Sequence, residues 1–206
     1  MSLGSSAKST SASLLKGRDV VYLEPITKVA GELVPPFFRT KERAPGGAGQ
    51  KWIVSNDPNI DFVEGLLVHG RIELRDPHPS SGLSGQIPFV HLYLLDAAKD
   101  SNIAYILETK MTTLGRDLVN SILNFTEFEK PLRIRLYNYN KGGKSWAGVT
   151  IETDLAADKP TAIKWKFDKS KYLKAKAVEV GNRTEYDWSE VDNFLLSEFE
   201  AYTHLL

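Results

Sequence analysis

Apolar and polar residues alternate along most of the body of this chain. An alternation of period two marks strands that turn one face to a core. Over DFVEGLLVHGRIELR (61–75), Phe62, Leu66, Val68, Ile72 and Leu74 fall on one side, and Leu67, His69, Arg71 and Arg75 on the other. This predicts one long strand, which Gly65 and Gly70 would let bend or bulge. The loop DPHPSSGLSGQIP (76–88) follows, and then two strands, FVHLYLLDA (89–97) and IAYILETKM (103–111), form a hairpin about the turn AKDSN. The period then changes. In TTLGRDLVNSILNFTEF (112–128), Leu114, Leu118, Ile122 and Phe125 recur at helical spacing with Val119 beside them. Thr112 or Thr113 can cap this helix, and Gly115 slightly weakens its first turn. Alternation resumes in PLRIRLYNYN (131–140) and SWAGVTIETD (145–154), which flank the turn KGGK (141–144). The paired glycines of that turn accept positive φ. TAIKWKF (161–167) reads as a sixth strand or an extension. DWSEVDNFLLSEFEAYTHLL (187–206) reads as an amphipathic helix with Val191, Phe194, Leu195, Phe199 and Tyr202 on one stripe and Ser189 with Asp192 as a capping pair.

The first part of the chain is less regular. Residues 1–18 are rich in serine and read as a disordered tail. Residues 19–54 hold one or two short strand-like pieces, interrupted by Pro35, Pro36 and APGGAG (44–49). That glycine-rich run reads as a mobile loop. It lacks the following Lys-Ser/Thr and helix of a phosphate cradle. The order of elements in the body is three strands, a helix and two strands. A small mixed sheet could share this order. With its long, bendable first strand it matches a mainly β fold: a five-stranded OB-like barrel with a helix between strands three and four, an N-terminal extension and a C-terminal helix. The expected division is a tail over 1–18, a barrel domain with its extension over 19–180 (core 52–170), and an acidic amphipathic helix over 181–206.

The side chains on the polar faces suggest what such a barrel would do. In RIRLYNYNKGGKSW, Ile134 and Leu136 share one face of the strand, and Arg133, Arg135, Tyr137 and Tyr139 share the other. Across the turn, Ala147, Val149 and Ile151 join the apolar side, and Trp146 joins the tyrosines. Lys141 and Lys144 stand at the tip. Cations hold phosphates and exposed rings stack on bases of any sequence, so this face is suited to single-stranded nucleic acid. The competing explanation is that tyrosine and tryptophan favour strands and cover a second apolar layer, under which the arginines would sit awkwardly. Lys164 and Lys166, interleaved with Trp165 and Phe167, would extend a phosphate track, or would be the solvated face of an edge strand. Arg71 on the long strand is a further candidate contact.

Charge and composition narrow the remaining classes. The 206 residues carry a formal net charge of zero, but the charge is polarised along the chain. Seven lysines face a single acid between Lys159 and Lys176, whereas six carboxylates and no Lys or Arg lie from Glu185 to the end. The acidic end could recruit partner proteins, mimic nucleic acid over a basic groove, or simply pack as a helix; its apolar stripe favours packing. No cysteine is present, which excludes disulfides and thiolate metal sites. The four histidines, His69, His78, His91 and His204, have no metal-ligand spacing, and no nucleophile or nucleotide-binding fingerprint appears. Asp57, Asp61 and Glu64 are close in sequence without a pattern that demands metal. Neither an enzyme nor a cofactor is expected. No apolar run is long enough to span a bilayer, and a cytoplasmic setting is expected.

KPLRIRLYNYNKGGKSWAGVTIETD followed by IKWKF, in this order of elements, resembles the OB-fold single-stranded-DNA-binding proteins of bacteriophages. The resemblance covers about residues 52–170. It implies a groove lined by Arg133, Arg135, Tyr137, Tyr139, Lys141, Lys144 and Trp146, and a role in DNA replication, recombination or repair. It also implies contacts with replication proteins through the acidic end. The chain departs from these proteins there: its end is apolar-rich and finishes in His-Leu-Leu. The strand bound is expected to be DNA, with RNA as the alternative, and a homo-oligomer is compatible with this reading. A protein-interaction or structural virion module without nucleic-acid binding is the second reading.

Overall fold

The computed structural model describes residues 13–29, 32–43, 52–54, 60–77, 85–98, 100–181 and 183–206. The APGGAG loop, His78 and all but the last six residues of the serine-rich tail lie outside them. The chain is mainly β. Strands β1 (Asp19–Val29), β2 (Glu32–Arg43) and β3 (Trp52–Val54) precede the long β4 (Phe62–Arg75). The hairpin β5 (Ile87–Asp96) and β6 (Ile103–Lys110) leads to helix α1 (Thr113–Ile122). Then come β7 (Leu132–Lys141), β8 (Lys144–Thr153), the two-residue β9 (Thr161–Ala162) and a single helical turn, α2 (Lys169–Tyr172). The hairpin β10 (Lys176–Val180) and β11 (Arg183–Asp187) precedes the last helix, α3 (Ser189–Thr203), so it runs across the boundary expected at residue 180.

The expected order of three strands, a helix and two strands is present as β4–β5–β6–α1–β7–β8. The expected five-stranded barrel is not. Strands β1–β9 form one nine-stranded sheet in the order β3-β2-β1-β6-β5-β4-β7-β8-β9, not closed into a barrel, and β10 and β11 form a separate two-stranded sheet. The reason lies at one sheet edge. With β7 and β8 beyond β4, closure would require β8 to reach the free edge of β6. That edge is taken by β1, which pairs with it in parallel from Asp19↔Ile103 to Leu23↔Leu107. The N-terminal segment therefore holds long strands where the sequence suggested short pieces. The sheet does curl: Phe38 of β2 bridges Ile60, just ahead of β4.

A second correction concerns β4. Its ladder with β5 shifts between Leu67 and His69, and such an irregularity moves the alternation by one residue. Val63 and Leu67 are buried, while Phe62 and Leu74, expected on the core face, are exposed. The core joins the inner residues of β4–β8 to Leu114, Leu118, Val119 and Ile122 of α1 and to Val191, Leu195 and Phe199 of α3. Each such side chain contributes roughly 1.5–3 kcal/mol on burial.

Local signals explain the two longer helices, α1 and α3. The Thr112 hydroxyl accepts from the Gly115 amide and caps α1. Gly115 has a further reason beyond propensity: a Cβ there would overlap the Lys110 carbonyl. The amide of Ser189 at the start of α3 is capped by Asp187, not by the Ser189–Asp192 pair. The helix lies over β4 where Gly70 leaves room, a Cβ at that position falling 2.7 Å from the Phe199 ring. The Tyr202 hydroxyl donates to the Phe125 carbonyl (2.9 Å). Arg116 of α1 grips Asp192 of α3 through two hydrogen bonds of 2.6 and 3.0 Å. Of the acidic segment expected to be helical over 181–206, Ser189–Thr203 is thus a docked helix, whereas Arg183–Asp187 is strand β11.

Candidate nucleic-acid interface

The tight turn at Gly142–Gly143 fixes the register of the β7–β8 hairpin. Both glycines have positive φ (60° and 72°), as a two-residue hairpin loop requires. Pairing then runs Lys141↔Lys144, Tyr139↔Trp146, Tyr137↔Gly148, Arg135↔Thr150 and Arg133↔Glu152. Leu132, Ile134 and Leu136 point into the core, with Val149 and Ile151 beside them. The opposite face carries the rings. Tyr137, Tyr139 and Trp146 are 41%, 37% and 42% exposed, as the alternation implied. The Tyr137 and Tyr139 rings are neighbours, tilted at 42° with centroids 6.0 Å apart. Tyr137 lies across Gly148: a Cβ there would sit 2.5 Å from its Cζ. A ring laid over a strand glycine is shielded on one side and open on the other. Tyr139 has its hydroxyl pKa raised, first by partial burial, then by the Asp117 carboxylate and by Tyr137.

The cations of this face divide into two groups. Arg133 donates to Glu64 through Nε and Nη2 at 3.1 and 2.9 Å. It also lies over the Phe62 ring, 4.7 Å from the centroid. It is held within the sheet and is not available as the phosphate contact expected of it. Arg135 is exposed, with only a 3.8 Å approach to Glu152. Lys141 and Lys144 are exposed at the tip and form no ion pair among the described residues.

Three other expected contacts lie apart from this group. Arg71 bonds His91 Nδ1 (3.2 Å) and Glu73 (2.9 Å). It belongs to a polar cluster on β4–β6 in which Arg75 also binds Glu108 at 2.6 Å. Lys166 pairs with Glu198 of α3 at 3.2 Å, so it serves helix docking. Lys164 is exposed, but the stretch around it is a strand only at Thr161–Ala162. The remainder is a strap held by buried Asn120, whose amide both donates to the Phe167 carbonyl and accepts from the Phe167 amide, each at 2.9 Å. No periodicity signals such a side-chain clamp.

The sequence also missed useful groups. Phe62 stands in the row beside Arg135, its direct β-ladder partner. Trp165 is exposed, with the Lys169 ammonium 3.7 Å from its ring centroid. Lys169 in turn pairs with Asp117. Burial raises the Asp117 pKa, against the hydrogen bond and charge of Lys169. Gly148 could have been found from the turn alone, because a two-residue loop places it opposite Tyr137.

The chain matches no known family model, no curated protein and no solved structure. Among the described residues, no cluster of His, Asp or Glu could hold a metal ion, and no helix is long and apolar enough to cross a membrane.

Proposed function

We propose that the outward face of the β7–β8 hairpin binds single-stranded DNA without sequence preference. Bases stack on Tyr137, Tyr139 and Trp146, while Arg135, Lys141 and Lys144 neutralise phosphates. One observation carries this reading: three half-exposed rings share one side of the hairpin with Arg135, whose ion pair with Glu152 is long at 3.8 Å, and with Lys141 and Lys144, which form no ion pair among the described residues. The β4–β5–β6–α1–β7–β8 order supports kinship with the OB-fold single-stranded-DNA-binding proteins of phages, with β1 as an elaboration on the β6 edge. The protein then acts in replication, recombination or repair, in the cytoplasm of the cell that holds the DNA, by coating the strand and without catalysis. The docked α3 presents its remaining carboxylates to solvent, where replication proteins could meet them.

Titration with oligo-dT, oligo-rU and duplex DNA at two salt concentrations tests this. Three phosphate-binding cations give a slope of log K against log salt of about −2 for a single strand. Absence of oligo-dT binding at low salt overturns the proposal.

The second reading, a protein-interaction or structural module, draws on the β10–β11 hairpin. It exposes Val178, Val180 and Tyr186, the last at 65%. A large assembly indifferent to DNA, lost on replacing Tyr186 by Ser, would favour it.

A further inference from the structure

Beside the aromatic face, below the hairpin tip, lies a cavity of about 850 Å³. Such a volume falls within the range of small-molecule sites, roughly 300–1,000 Å³. Four parts of the fold meet there: Lys144 and Trp146 of β8, Phe89 of β5 with Lys110 of β6, the first residues of α1, and Glu24–Thr27 of β1. The β1 wall exists because that strand occupies the β6 edge.

The lining has a definite chemistry. Among its described lining residues two are carboxylates, and both are matched. Glu24 accepts from Arg39 at 2.7 Å and Glu108 from Arg75 at 2.6 Å. The two ammonium groups are not matched in this way. Lys144 forms no ion pair among the described residues, and the contact seen for Lys110 is with the Phe89 ring, 5.4 Å from its centroid. The guanidinium of Arg75 lies 4.3 Å from the same ring. The cavity therefore joins two aromatic walls, Trp146 and Phe89, to two ammonium groups that form no ion pair among the described residues. A flat aromatic ligand bearing an anionic group complements both features.

We infer that this cavity holds one nucleotide, its base against Trp146 and Phe89 and its phosphate between Lys110 and Lys144. The occupant is either a free mononucleotide or one nucleotide turned in from the bound strand; the second source rests on the function proposed above. In the latter case the cavity is a pocket at the end of the stacking face, shared with it through Trp146 and Lys144.

Calorimetric titration of the full chain with thymidine 5′-monophosphate, thymidine and inorganic phosphate, beside titration with oligo-dT, tests this. The variants are Phe89→Leu, which keeps apolar bulk but loses the flat ring, and Lys110→Gln, at an exposed position, each checked for folding by urea unfolding. The monophosphate is expected to bind more tightly than thymidine or phosphate alone, and each variant to weaken it about tenfold. An equal loss for oligo-dT identifies the strand as the source, and an unchanged oligo-dT affinity identifies a free nucleotide. No monophosphate binding at millimolar concentration, with oligo-dT affinity the same in both variants and the parent, overturns the pocket. If oligo-dT still binds with salt dependence, only the pocket falls. Monophosphate binding without oligo-dT binding keeps the pocket and overturns the stacking face.

Discussion

Replacing Gly148 by alanine tests the stacking face without touching any of its rings. The backbone at Gly148 is ordinary strand, so alanine is conformationally acceptable. The new Cβ would lie 2.5 Å from Tyr137 Cζ and 2.8 Å from its Cε2 and hydroxyl oxygen. Carbon contacts settle at about 3.5–4.0 Å, so the ring must withdraw by about 1 Å or more. Tyr137 is 41% exposed and can turn into solvent. An off-rotamer side chain costs about 0.5–1.5 kcal/mol, and removing a strand glycine returns about 0.5–1 kcal/mol. Stability should stay within about 1 kcal/mol of the parent. Binding should not, because losing one stacking platform costs about 1–3 kcal/mol, a factor of about 5 to 150 in affinity. The assay is fluorescence titration with oligo-dT on the four proteins of a double-mutant cycle, Gly148→Ala with Tyr137→Ala, each checked by urea unfolding. If both changes act through the one ring, the double variant binds about as weakly as Tyr137→Ala alone. Additive losses, or a Gly148→Ala protein with full affinity beside a weakened Tyr137→Ala, would refute the reasoning.

Three further outcomes follow from the contacts. Arg135→Gln should reduce the salt slope of oligo-dT binding by about 0.7, whereas Arg133→Gln should leave the slope unchanged and lower stability through loss of its Glu64 contact; the reverse pattern would show that the two arginines are wrongly assigned. Asn120→Ala removes the two side-chain hydrogen bonds to the amide and carbonyl of Phe167 and should cost about 2–4 kcal/mol in urea unfolding, with faster amide exchange over the strap 163–168; a loss below about 1 kcal/mol would count against the clamp. The Tyr202 hydroxyl has its pKa raised above its ordinary value of 10 by burial. The neutral form is the one favoured in the folded state, so this contribution is complete below pH 10 and is lost as pH rises further; Tyr202→Phe should flatten that part of the stability profile relative to the parent, and identical alkaline profiles would contradict it.

Local pattern alone determined a good part of this protein. The alternation of Arg133–Tyr139, the glycine pair at the turn and the helical spacing of Leu114, Leu118 and Ile122 each depend on near neighbours. The strands, the turn and the helix they specify are present, and the outward face of Tyr137, Tyr139 and Trp146 follows from period two and a two-residue loop. Whatever depends on distant partners was decided by tertiary structure. Alternation cannot say which strand takes the open edge of β6, because parallel pairing of Asp19–Leu23 with Ile103–Leu107 joins segments some eighty residues apart in sequence, and so an expected barrel is an open, curled sheet. Nor can composition say which cations remain available. Arg133 and Arg135 are alike in sequence, yet Glu64 stands beside one and not the other, because β4 pairs with β7 in one register. A carboxylate within reach cancels a positive charge locally, and its position is set by the sheet.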